Sequence, residues 1–162
     1  MVIKKCTIEG QLEKIGFAGE ICVFGIERGS ETALDRFSEV KWEIIDLLNT
    51  HYKDQLLEKF DLFDWLIYND GDEVAYFLCE AGSNIITHSQ FHIPACVRVF
   101  LGTNGFIVAL EQQGEGFSVS LAMQKEHNEL EGGGFAFYLR SKSVIFFDNW
   151  EEARIIYCCY LL

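Results

Sequence analysis

Glu80-Ala81-Gly82-Ser83-Asn84-Ile85-Ile86-Thr87-His88 carries the strongest pattern in the chain. Polar groups recur in it every fourth residue, and small or apolar residues fill most of the space between. In a helix, a four-residue step turns about 400°, so each group drifts only about 40° from the last. Glu80, Asn84 and His88 then form one polar stripe on a largely apolar helix. A carboxylate and an amide one turn apart can hold a hydrated magnesium ion and polarise a water, which is what phosphate chemistry requires.

The rest of the chain sets limits on that reading. Its 162 residues suit a single domain, taken as residues 1–162, and 49% hydrophobic content supplies a sizeable core. No apolar run has the length of a membrane-spanning helix, and the start, Met1-Val2-Ile3-Lys4-Lys5-Cys6-Thr7, is too polar for a signal peptide. The expectation is a cytoplasmic protein with no membrane contact. A formal net charge of -12 argues against nucleic acid as a partner, because a phosphate backbone needs a basic footprint. The same charge favours a basic protein partner. The six cysteines include no CxxC pair and no Cys/His set with zinc spacing, so buried free thiols are expected. Adjacent Cys158 and Cys159 point to opposite faces of a strand, which disfavours a bond between them.

Outward from the stripe, the pattern alternates between strands and helices. Val2–Ile8 and Ile21–Ile26 read as strands. Ser30-Glu31-Thr32 opens a helix with capping residues, and Leu34, Phe37, Trp42, Ile45 and Leu48 come after it at near-helical spacing. Tyr52–Phe60 reads as a second helical piece. Phe63–Tyr68 fits either a helical turn or a short strand. Asn69-Asp70-Gly71-Asp72 breaks the chain and can cap the next helix. Over Glu73–Ser89 a strand at Tyr76-Phe77-Leu78 competes with a helix, in which Gly82 costs about 1 kcal/mol. The stripe decides for helix, closed by Pro94.

The second half reads as β. Cys96–Leu101 and Phe106–Glu111 flank Gly102-Thr103-Asn104-Gly105, a hairpin signal built on Asn-Gly. Ser118–Glu131 reads as a polar, mobile loop, and Phe135–Lys142 as a helix opened by Gly132-Gly133-Gly134. Val144–Phe147 and Ala153–Tyr160 make a closing hairpin around Asp148-Asn149-Trp150-Glu151.

Taken in order, the helix with Glu80 and Asn84, the turn Gln113-Gly114-Glu115-Gly116-Phe117 and the triplet Gly132-Gly133-Gly134 resemble the three boxes of the gyrase, histidine-kinase and MutL type of ATPase domain, the Bergerat fold. Within it the chain is most similar to the anti-sigma-factor serine kinases and their regulatory relatives. The resemblance runs from about Glu73 to Leu162. It implies an α+β two-layer sandwich: a mixed, mainly antiparallel sheet with helices packed on one face. It also implies ATP and magnesium as cofactors, a protein partner such as a sigma factor or an anti-sigma antagonist, and a homodimer.

The resemblance assigns roles residue by residue. Asn84 would ligate magnesium through its amide oxygen. Glu80 would be the catalytic carboxylate, polarising a water or a partner's serine hydroxyl. Gly114 and Gly116 would let the backbone approach adenine and ribose. Gly132 and Gly134 would present N–H groups at a helix start to the phosphates, and Ser118–Glu131 would be the lid.

Some positions depart from the family pattern. Gln113 stands where the family has the Asp that accepts a bond from the adenine amino group. A charged acceptor contributes about 1.5–3 kcal/mol against about 1 for a neutral one, so affinity falls by roughly tenfold. On a regular strand Glu111 shares the face of Gln113 and is a substitute acceptor. Phe135-Ala136-Phe137 is bulkier than the family's run, and Glu126, Glu129 and Glu131 make the lid acidic. These changes keep open a nucleotide-free or weakly binding interaction module on the same scaffold. A third alternative is the catalytic domain of a split histidine kinase, which needs a phospho-acceptor from another chain. His88 suits a helix C-terminus; His51, His92 and His127 read as surface, Trp42 and Trp65 as core, and Ser30 as a cap.

Overall fold

Thr7 starts the first helix and Gly16 ends it. The Gly10 N–H donates to Thr7 Oγ1 at 3.2 Å, Glu9 lies in the first turn and Lys14 in the last, and Gly16 closes the helix at φ 69°. Each of these satisfies an end group or complements the helix dipole. Helix α1 (Ile8–Ile15) therefore begins where the sequence suggested the end of a strand, and residues 4–7 form no strand. The capping signals outweigh the β-branched residues before them. The computed structural model describes residues 4–26, 30–62, 73–88, 95–112, 115–128 and 143–162.

Strand β1 (Phe17–Ile26) comes next and is longer than expected, with a bulge between Phe17 and Glu20. Helix α2 (Ser30–His51) opens at the expected residue. Trp42, expected in the core, is 41% exposed. The buried stripe of α2 is Phe37, Val40, Ile44, Ile45 and Leu48, and a 100° step per residue carries Trp42 off it. Tyr52–Phe60 is not a helix. After a single turn in which Gln55 N and Leu56 N donate to Tyr52 O, Asn49 ties down the end of the stretch: its Nδ2 donates to Phe60 O at 2.9 Å and its Oδ1 accepts from Phe60 N at 2.8 Å.

Helix α3 (Glu73–His88) resolves the strand-or-helix competition in favour of helix. Strands β2 (Ala95–Gly102) and β3 (Gly105–Gln112) form the hairpin marked by Asn104-Gly105. Helix α4 (Val119–Asn128) occupies most of the stretch read as a polar loop, with Ser118 Oγ accepting from Leu121 N at 3.3 Å. Strands β4 (Val144–Phe147) and β5 (Ile155–Leu161) are the closing hairpin.

Among the described residues the five strands are ordered β1-β2-β3-β5-β4, and every pairing is antiparallel. The mixed sheet of the sequence reading is thus corrected to an antiparallel one. Helices on a single face are corrected too. The α+β core has a helix layer on each side of the sheet. On one face Val40, Ile44 and Leu48 of α2 and Val74, Phe77, Leu78 and Ala81 of α3 meet Val97, Val99, Val108, Leu110 and Cys158. On the other, Ile15 of α1 meets Ile107, Ala109, Phe146, Tyr157 and Cys159. The two adjacent cysteines divide between the faces, as strand alternation requires. Each fully buried Ile, Leu or Phe in these layers contributes about 1.5–3 kcal/mol relative to exposure.

The β2–β3 turn joins the parts. Asn104 N donates to Ile15 O at 2.8 Å, and Leu162 N donates to Asn104 O at 2.9 Å. Tyr52, buried just after α2, lies under the turn. Its hydroxyl is 2.8 Å from both Gly102 O and Gly105 O and accepts from Gly102 N at 3.1 Å.

Candidate functional site

Helix α3 carries positions 80, 84 and 88 at one-turn intervals along its length. It packs on α2 and against β3 and β5. Val74, Phe77, Leu78 and Ala81 form its core stripe, while Cys79 and Gly82 turn toward Lys41 and Phe37 of α2. A 100° step per residue sets Glu80 on the flank away from α2. Glu80 is half-buried there, at the rim of the helix layer. A carboxylate in that place is an oxygen donor of the kind that suits magnesium. The side chains of Asn84 and His88 lie outside the described residues, as do Gln113, Gly114, Gly132, Gly134, Phe63–Tyr68, Phe135–Lys142, Trp65 and His92.

Gly116 lies beyond the end of β3. A Cβ added to it would stand 2.7 Å from both the carbonyl carbon and Cγ of Glu152, and 2.8 Å from Glu152 O. Real Cβ atoms do not approach backbone that closely, so glycine is required here by the packing of the chain on itself. Phe117 continues the contact through a reciprocal bridge. Its N–H donates to Ala153 O at 3.0 Å, and Ala153 N–H donates back at 2.8 Å. On its Cβ side, then, the second glycine of the turn faces protein and offers no open approach to a ligand. Glu152, Ala153 and Trp150 are the residues the sequence reading missed. Their signal was the Asp148-Asn149 pair, since such side chains bond to backbone N–H groups a few residues on.

Glu111 and Glu80 lie on opposite sides of the sheet. Ile107 and Ala109 lie in the cluster under α1, and alternation along β3 places Glu111 on that face. Its carboxylate there bonds the Arg98 guanidinium across the β2–β3 pair. That bond raises the Arg98 pKa, more than burial lowers it. Glu80 belongs to the opposite layer.

Thiol chemistry has little support. Burial raises the Cys6 and Cys96 pKa values and pushes Cys159 up to about 11, so all three are thiols near neutral pH. No grouping of three or more His, Cys, Asp or Glu side chains with metal-site geometry occurs among the described residues. No helix among them is long and apolar enough to cross a membrane. His51 is exposed, as expected of a surface residue. Comparison with protein-family models and with curated proteins finds no match to this chain.

Proposed function

We propose that the chain is an ATP-binding regulatory domain of the Bergerat type, similar to the anti-sigma serine kinases and acting on a protein partner. The observation that carries this reading is the place of α3. The helix bearing Glu80 and Asn84 lies against β3, and β3 leads directly into the Gln113–Phe117 turn. The two boxes named by the resemblance thus belong to neighbouring elements in the order the resemblance implies. Asn84 would hold magnesium, and Glu80 would orient and polarise the hydroxyl that accepts the phosphoryl group. When bound, the nucleotide supplies that group, and the chain's own contribution is position and charge. The net charge of -12 supports a partner that presents basic residues.

A second reading, a nucleotide-free interaction module on the same scaffold, is favoured by two features. Gly116 is packed on Glu152, and Gln113 replaces the family's charged adenine acceptor. Calorimetric titration of the parent and of Gln113→Asp with magnesium-ATP separates the two. Binding by the parent that weakens in the variant makes Gln113 the adenine reader. Binding that exists only in the variant identifies a chain that has given up nucleotide.

A further inference from the structure

The stretch that resembles an adenine-contacting turn is tied by several hydrogen bonds to residues 150–154. Gly116 admits the backbone of Glu152, and Phe117 and Ala153 exchange two hydrogen bonds. Val119 N, in the first turn of α4, donates to Trp150 O at 2.9 Å, and Trp150 Nε1 donates to Ser120 Oγ at 2.7 Å. Gln112 N donates to Arg154 O at 3.0 Å, and Gln112 Nε2 donates to Glu115 O at 2.8 Å.

The segment on the other side is itself tied in place. Asn149 Oδ1 accepts from Glu151 N and Glu152 N, and Asp148 Oδ1 accepts from Arg154 N and Ile155 N, all at 2.9 Å. Phe147 packs edge-on against Phe117 and Trp150, and Lys5 Nζ sits 4.9 Å from the centre of the Trp150 ring.

We propose that residues 148–154 form an internal clasp that holds the Gly116–Phe117 turn and the start of α4 rigid, whether or not a nucleotide is bound. The segment fills the space a ligand would otherwise meet on the Cβ side of Gly116. Val119 and Ser120, at the start of α4, are both fastened to Trp150. This inference is independent of the ATP reading.

Hydrogen exchange at the amides of Phe117, Val119 and Ala153 tests it, read with and without millimolar magnesium-ATP. The clasp predicts protection of all three in the absence of nucleotide and no change when it is added, even where calorimetry records binding. Asn149→Ala removes two of the bonds that shape the segment. It should raise exchange at the three amides together by at least tenfold, leaving the β2–β3 amides unaffected. Gly116→Ala should do the same or more strongly, and Asn149→Ala serves if that variant fails to fold. Unprotected amides that become protected only on adding magnesium-ATP would overturn the clasp while upholding the nucleotide reading. Unchanged exchange in Asn149→Ala would also overturn it.

Discussion

The ring of Phe37 on α2 lies where the side chain of residue 82 would be on α3. A Cβ built on Gly82 falls 1.7 Å from Phe37 Cζ. The glycine inside the polar-striped helix is therefore a packing residue that brings the two helices together. In an isolated helix, Gly to Ala gains about 1 kcal/mol. Here the clash decides the sign, and Gly82→Ala should destabilise the protein by about 1–3 kcal/mol in urea unfolding. Phe37→Leu should recover part of that loss in the double variant, giving a coupling energy of about 0.5–3 kcal/mol in a double-mutant cycle. A neutral or stabilising Gly82→Ala contradicts the packing.

Tyr52→Phe removes the donor shared by Gly102 O and Gly105 O and the acceptor of Gly102 N. Leaving buried backbone groups unpaired costs about 1–3 kcal/mol, and a urea titration at neutral pH should record a loss of that size.

Alkaline pH reads the same environment. Burial pushes Tyr52 up to about 12, and burial, with Asp148 and Glu111 nearby, does the same to Tyr157. The unfolded chain deprotonates both phenols nearer 10, so it holds fewer protons than the native state above that pH. Stability from these two groups is fully present below about 10 and is lost as pH rises toward 12. Their phenolate absorbance should emerge together with unfolding. Ordinary titration of all six tyrosines in folded protein would contradict this.

Gln11 faces inward on α1, only 4% exposed, and its Oε1 has no hydrogen-bond partner among the described residues. A buried acceptor left unpaired costs about 1–3 kcal/mol, and an apolar group of similar shape avoids that cost. Gln11→Met should raise the midpoint of thermal or urea unfolding. A lowered midpoint would mean that the amide has a stabilising role that its geometry does not reveal.

Local signals made the larger part of the fold readable from sequence. Asn104-Gly105 gave the β2–β3 hairpin, the four-residue spacing from Glu80 gave α3, and two apolar runs around Asp148-Asn149 gave β4 and β5. The misses share a cause. Helix α1 was hidden because Val2, Ile3 and Ile8 resemble a strand, while its real markers, Thr7 and Gly16, are capping residues. Helix α4 has a weak apolar stripe, and Ser118 was its only clear start signal. Trp42 was placed inside by spacing alone, although the helix turns it outward. At the site, alternation along β3 put Glu111 on a definite face, but nothing in the sequence said which helix layer covered it. Gly116 reads as a glycine for close approach to a nucleotide, and its Cβ side instead meets Glu152. That contact is with a residue distant in sequence, which no local pattern encodes.

Calorimetric titration of folded protein with magnesium-ATP tests the central proposal most directly, paired with Asn84→Ala and Glu80→Ala. Nucleotide binding by the parent, weakened at least tenfold by Asn84→Ala and with the fold intact by circular dichroism, is the predicted result. Because Glu80 is assigned to the transfer step, Glu80→Ala should weaken binding less than Asn84→Ala does. The absence of heat at millimolar nucleotide in demonstrably folded parent protein would contradict the account.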